Sequence, residues 1–248
     1  MAKVTELLRI ARAAVPAAIV CMPMFLEARP RTPLRVFCIA AFEYLARLRG
    51  GTLGRRRRLA LAHACDFGSL RDEYYDEQKL DRTEYRSLRC ALRRMAPKAA
   101  TPLYIRQLRN AERGRPVLSA PAPGIASATI DYRQSVIELS IRWLQTISGL
   151  AIERVQFHSI VSLVCLMQLA DDLLDWKDDQ ADECPSYVTA FLLERPTAIA
   201  THLRAQADAL LQRTVGAARR DACSVPFALA AVATWTFVAA LLKVRFPK

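Results

Sequence analysis

The stretch from Ile160 to Glu183 constrains the fold most strongly, because an uncharged run leads directly into a dense row of acids. Residues 160–169 carry no charge, which predicts a buried helical segment. At about 100° per residue, Leu169, Leu173 and Trp176 then form one apolar stripe. A separate polar stripe contains Gln168, Asp171, Asp175, Asp179 and Asp182. We therefore predict one long helix with an acidic face and a packed face.

The acidic face predicts a binding site for Mg²⁺. The only cation within the acidic run is Lys177, and it lies off the acidic stripe, so the carboxylates lack an internal counter-charge. Mg²⁺ prefers carboxylate oxygens, and it typically takes one or two of them together with waters and substrate phosphates. The alternative interpretation is an ordinary charged surface helix without a metal.

The same residues carry a resemblance to a known family. The pattern Gln168-x-x-Asp171-Asp172-x-x-Asp175, with Asp179 four residues on, resembles the second aspartate-rich motif of class I isoprenoid synthases. The helix is also similar to its counterpart in squalene/phytoene synthases, where an asparagine usually stands at Asp171 and arginines stand near Leu174 and Asp182. The resemblance implies an all-α bundle that uses Mg²⁺ and a prenyl diphosphate, and the departures argue against head-to-head coupling.

A second group of acids, around Asp72, is the candidate for an opposing wall of that site. Asp72 and Asp76 are i,i+4 neighbours with Glu73 beside them, so a helix would present them toward one point. Their spacing resembles the D-x-x-x-D first motif of the squalene/phytoene synthase group. The resemblance implies that Asp72 and Asp76 bind metal together with Asp171, Asp175 and Asp179. Alternatively, they are two acids on a surface helix.

Several polar residues are candidates for binding the diphosphate oxygens. The predicted donors are Arg133, Arg142, Arg154 and Lys177, together with Gln168 on the acidic stripe. A long helical stretch from Thr129 to the acidic motif carries the three arginines, and Ser148-Gly149 predicts a kink within it. Trp143 and Phe157 are candidates for lining a hydrocarbon pocket, although aromatic residues at helical spacing also form ordinary cores.

Composition predicts a single all-α domain over residues 1–248. The chain is 52% hydrophobic and has only 8 glycines, so it can bury a large core and favours helices. Its net charge of +12 suits an anionic partner such as a diphosphate or a membrane surface. The run Arg55–Arg58 lacks interleaved aromatics and glycines, which argues against nucleic-acid binding. Scattered cysteines without a C-x-x-C pair predict no zinc site and a reducing compartment.

Two apolar runs bear on localisation. Residues 13–26 resemble a signal peptide superficially, but Pro16 and Pro23 interrupt them, so we predict an opening helix and a cytoplasmic protein. Residues 225–242 carry no charge over 18 positions. We interpret this run as a buried final helix; the alternatives are a membrane span, or peripheral membrane contact through Lys243 and Arg245.

Together, these patterns predict a Mg²⁺-dependent terpene synthase. Metal bound by the two acidic walls would neutralise a prenyl diphosphate, so that it leaves and an allylic cation forms. Exclusion of water would then allow the cation to cyclise or rearrange. The alternatives are a prenyltransferase that joins prenyl diphosphates and a non-catalytic, membrane-associated helical protein.

Overall fold

The computed structural model describes residues 2–25, 32–77, 80–118 and 123–246, and within these ranges the protein is all-helical. It is 85% helix and contains no strand in the described ranges, which confirms the predicted all-α class. Two 3₁₀ turns, Pro196–Ala198 and Ala222–Ser224, flank the ninth helix. The described ranges contain ten α-helices: α1 Ala2–Phe25, α2 Thr32–Leu48, α3 Arg55–Glu77, α4 Arg82–Met95, α5 Ala100–Glu112, α6 Ile125–Ser148, α7 Arg154–Ala181, α8 Tyr187–Glu194, α9 Ile199–Arg220 and α10 Val225–Arg245.

Local sequence determines several helix ends. Asp81 caps α4, since its carboxylate accepts hydrogen bonds from the backbone N–H groups of Thr83 and Glu84 at 2.8 and 3.0 Å. Gly149 has φ +68°, a left-handed conformation that glycine adopts without strain. The predicted kink at Ser148-Gly149 is therefore a complete helix end, and α7 begins only at Arg154.

The described residues fall into two compact units. The first contains Met1–Gln107 and Ser140–Ile152. In it α1 packs on α2, α2 on α3, and α3 on α4. Its core includes Trp143, whose ring stacks on that of Tyr104 with centroids 4.0 Å apart. Buried Asp66 forms a two-pronged ion pair with Arg35, which satisfies both carboxylate oxygens.

The second unit is built around α7. It contains Leu108–Leu139 and Glu153–Lys248, and α8, α9 and α10 all pack against α7. The predicted apolar stripe is buried in this core: Leu169 and Leu173 are 0% exposed, and most of residues 160–169 are buried. The expected long helix with one packed face is therefore confirmed. The single domain expected over residues 1–248 stays a prediction.

The final helix, α10, is buried on one side only. Phe227, Ala231, Val238 and Leu242 face the core, whereas only 28% of its most apolar 18-residue window is buried. The outward side is also apolar and carries Leu229, Val232, Phe237 and Val244, which are 67%, 44%, 48% and 76% exposed. The expected buried helix is thus correct for one face and wrong for the other. By length and composition alone, α7 and the α10 region are the two helices of the described chain that could cross a membrane.

Substitutions on the two faces of α10 should differ in their effect on stability. Phe237→Ser removes an outward side chain, so the free energy of unfolding should change by no more than about 0.5 kcal/mol. Leu242→Ala leaves a cavity on the inward face and should cost about 2–5 kcal/mol. Urea denaturation of both variants tests this. An equal loss in the free energy of unfolding for both variants would show that the outward face is covered in solution.

Candidate metal and diphosphate site

The C-terminal half of α7 presents a row of carboxylates to solvent. Asp171, Asp175 and Asp178 are exposed and follow each other at intervals of about one helical turn. Asp179 is half-buried, and Asp182 lies just past the helix end, where its N–H donates to the Asp178 carbonyl at 2.9 Å. The acidic stripe expected from the sequence therefore lies on the solvent side of α7.

Asp171 is close enough to its neighbours for their charges to matter. Partial burial raises the pKa of its carboxyl group, and the negative charges of Asp172 and Asp175 raise it further. The positive charge of Arg133 acts in the opposite direction and lowers the pKa. Ionised Asp171 is thus electrostatically strained, and a bound cation would relieve that strain.

Asp172, the other member of the Asp171-Asp172 pair, has a structural role. Its side chain is 3% exposed and accepts hydrogen bonds from Gln168 Nε2 at 2.9 Å and from the Tyr187 backbone N–H at 2.6 Å. Tyr187 is the first residue of α8, so the carboxylate joins the N-terminus of α8 to α7. Gln168, predicted to bind substrate, therefore has its amide nitrogen engaged with Asp172.

Asp178 belongs to the acidic face although the sequence interpretation omitted it. Seven residues separate it from Asp171, which amounts to 700°, or within about 20° of two full turns. It is also exposed. The seven-residue spacing was the signal that would have identified it.

Among the four predicted basic residues, Arg133 lies beside the acidic face. Its Nε donates to the Pro185 carbonyl at 2.9 Å, which holds the α6 side chain against the turn between α7 and α8. Its charge acts on Asp171 from there. A guanidinium held in this position combines a fixed location with several N–H donors, as binding of a phosphate group requires.

The other three basic residues lie elsewhere. Arg154 begins α7, 17 residues before Asp171, which corresponds to about 25 Å along the helix axis. The Nζ of Lys177 is 5.7 Å from the Trp176 ring centroid, off the acidic stripe. Arg142 is exposed in the first unit. Only Arg133 is thus brought together with the aspartates within the second unit.

The predicted opposing wall belongs to the first unit. Asp72 is exposed on α3, and Asp76 is in the same helix, but the side chain of Asp76 lies outside the described residues. A shared site between these acids and those of α7 stays a prediction.

The aromatic residues expected to line a hydrocarbon pocket are buried in the two units. Trp143 and Phe157 are each 5% exposed. A pocket of 330 Å³ does lie near the end of α7, lined by Leu118, Gln180, Glu183, Thr189, Leu192 and Leu193. Gln180 is nine residues from Asp171, or half a turn around α7, so this apolar pocket does not open on the acidic face.

Comparison with known proteins gives no relative for this chain. No protein-family model matches it, and neither a curated protein nor a solved structure is significantly similar to it.

The exposed carboxylates of α7 provide oxygen donors of the kind that Mg²⁺ prefers. In the described part of the chain, no three His, Cys, Asp or Glu side chains are grouped so that they could hold an ion by themselves. Mg²⁺ does not require such a group, because it usually keeps several waters and completes its coordination with substrate phosphates. Two adjacent exposed carboxylates, such as those of Asp171 and Asp175, provide the donors for this mode of binding.

The two aspartates of the pair should respond differently to substitution. Asp172→Ala leaves the Tyr187 N–H without its acceptor and should lower the free energy of unfolding by about 1.5–3 kcal/mol. Asp171→Asn, at an exposed position, should leave stability equal or higher. Thermal and urea unfolding of both variants provide the comparison, and equal destabilisation would contradict the division of roles.

The effect of Asp171→Asn should depend on pH. Because the folded state raises the pKa of Asp171, ionisation of this group opposes folding above its ordinary value of 3.8. The stability gain of the asparagine variant should therefore be smallest near pH 4 and increase as the pH rises toward 7. Urea denaturation at several pH values without Mg²⁺ measures it, and a gain that does not change with pH would contradict the charge effect.

Proposed function

We propose that the protein is a Mg²⁺-dependent terpene synthase that ionises a prenyl diphosphate. The observation that carries the proposal is the row of exposed aspartates on α7 with Arg133 beside it. A row of carboxylates of this kind favours a cationic partner, and the positive net charge of the chain favours an anionic substrate. The resemblance of the motif to class I isoprenoid synthases supports the same conclusion.

The residues of α7 and α6 have distinct roles in this proposal. Asp171 and Asp175 hold Mg²⁺ on the solvent side of α7, and Asp179 completes the acidic wall. When bound, the metal neutralises negative charge on the leaving diphosphate. Arg133 donates hydrogen bonds to the diphosphate oxygens, and Asp172 holds α8 and the preceding turn in position. The contribution of Asp72 and Asp76 to a second wall stays a prediction from the sequence.

Cyclisation or rearrangement of the cation is the proposed outcome rather than coupling. The squalene/phytoene pattern has arginines near Leu174 and Asp182, and this chain lacks them. Incubation with prenyl diphosphates of increasing chain length and Mg²⁺, followed by product analysis, distinguishes the reactions. One substrate converted to a hydrocarbon or alcohol supports cyclisation, whereas a longer product formed from two substrates indicates a prenyltransferase.

Asp175→Asn should separate activity from stability. The substitution keeps the shape but removes a metal-binding charge, so Mg²⁺-dependent diphosphate release should fall about a hundredfold while the thermal midpoint holds or rises. Glu153→Gln is the matched control, since Glu153 is exposed at the opposite end of α7 and makes no capping hydrogen bond. Unchanged release from both Asp175→Asn and Asp171→Asn would falsify the proposal.

A membrane-associated, non-catalytic role is the second candidate, and the outward face of α10 favours it. That face is apolar along its length, and exposed Lys243 follows it. Co-sedimentation with anionic vesicles tests this role directly. Three results together would favour this candidate over the enzyme: Phe237→Ser weakens vesicle binding, high salt does not abolish it, and the protein does not release diphosphate.

A further inference from the structure

A pocket of 470 Å³ lies in the second unit, at the opposite end of α7 from the aspartates. It is formed between the start of α7, the C-terminal half of α9 and one residue of α6. No acidic side chain of the described residues lines it. Its polar lining consists of Arg154, His158, Ser162, Gln134, Gln212, Arg213 and Arg220.

The three arginines of this pocket lack internal counter-charges. In the part of the chain that the structure describes, the ion pairs involve other residues and leave Arg154, Arg213 and Arg220 unpaired. Two of the nearby acids are already engaged, while Glu153, which precedes Arg154, is exposed and does not line the pocket. Glu138 accepts a hydrogen bond from Gln134 at 3.0 Å, and the Asp221 carboxylate accepts from the Cys223 N–H and the Ser224 hydroxyl.

Helix geometry directs these donors toward one space. Arg154 and His158 are one turn apart on α7, while Arg213 and Arg220 are two turns apart on the same face of α9. Gly216 lies between the two α9 arginines, and a Cβ built there would be in ordinary van der Waals contact with Arg220 Nη1 at 3.6 Å, so the Arg220 guanidinium lies close to Gly216. Ser162, 5% exposed, adds a hydroxyl at the base.

The alternative interpretation is three solvated surface arginines. Two features argue against it: the three arginines come from two helices and line one concavity, and residues with amide, imidazole and hydroxyl groups line it with them. Guanidinium groups match the oxygens of phosphates in geometry as well as charge.

We propose that this pocket binds a phosphate-bearing anion without the help of a metal. The site goes beyond the proposed function, because Arg154 lies about 25 Å along α7 from Asp171, too far for one diphosphate to contact both. Arg213 and Arg220 provide the main charge from α9, and Arg154 provides it from α7. His158, Gln134 and Gln212 contribute further donors.

Calorimetric titration of the full-length protein with inorganic pyrophosphate in EDTA tests the pocket. We expect saturable binding at one site. Arg213→Gln and Arg220→Gln should each weaken it about tenfold or more, the effect of losing a charge-assisted hydrogen bond. Arg219→Gln is the matched control, because Arg219 is equally exposed on α9 but does not line the pocket. Unchanged thermal midpoints establish that the variants are folded.

Two outcomes would overturn the proposal. The first is that the folded protein binds neither pyrophosphate nor phosphatidic acid vesicles saturably, and the second is that Arg213→Gln and Arg219→Gln weaken binding equally, which indicates diffuse attraction to a basic surface. A parallel titration with phosphatidic acid vesicles is expected to identify the source of the phosphate. Binding of vesicles alone, sensitive to Arg213→Gln, assigns a lipid headgroup, whereas pyrophosphate binding assigns a soluble phosphate.

Asp175→Asn should retain pyrophosphate binding in EDTA, so failure of the pocket and failure of the α7 metal site are distinguishable.

Discussion

The second unit depends on how α7 is rotated about its own axis. Leu169 and Leu173 must leave water, and their burial against α8, α9 and α10 turns Asp171 and Asp175 outward. The Asp172 carboxylate lies on the buried side of α7. Hydrogen bonds donated by Gln168 and by the N-terminus of α8 offset the cost of burying its charge. If α7 were rotated about its axis by one residue position, about 100°, this hydrogen-bonded carboxylate would be exposed and an unpaired carboxylate would be buried. That change would lower the free energy of unfolding by several kcal/mol.

The charges within the first and last turns of α7 are opposite to what the helix dipole favours, whereas Glu153, at the N-cap, is favourably placed. Its first turn has Arg154 and no acid, and its last turn has Asp178 and Asp179 and no base. Each such charge typically costs a few tenths to about 1 kcal/mol, because a positive charge lies at the positive end and negative charges lie at the negative end. An anion near Arg154 and a cation near Asp175 would each offset this cost, which connects the two proposed sites to one helix.

The chain is strongly basic yet carries a dense acidic motif. Within the second unit, Arg133 is the predicted base that acts on the acidic face, and it is held there by the Pro185 carbonyl. Arg154, Arg213 and Arg220 instead surround a separate pocket. The charge of Arg133 opposes the effect of the Asp172 and Asp175 charges on the pKa of Asp171.

Sequence alone determined the features that depend on neighbouring residues. The apolar run and the acidic stripe predicted α7 and its packed face, and low glycine content predicted the all-α class, because helix periodicity and propensity depend on residues close together in the sequence. Tertiary structure decided the rest. The division of Asp171 and Asp172 into an exposed and a buried carboxylate depends on Tyr187, and the choice of Arg133 over Arg154 depends on the turn at Pro185. The half-exposed state of α10 likewise depends on which helices pack against it, since an evenly apolar helix carries no periodic signal to show which face is buried.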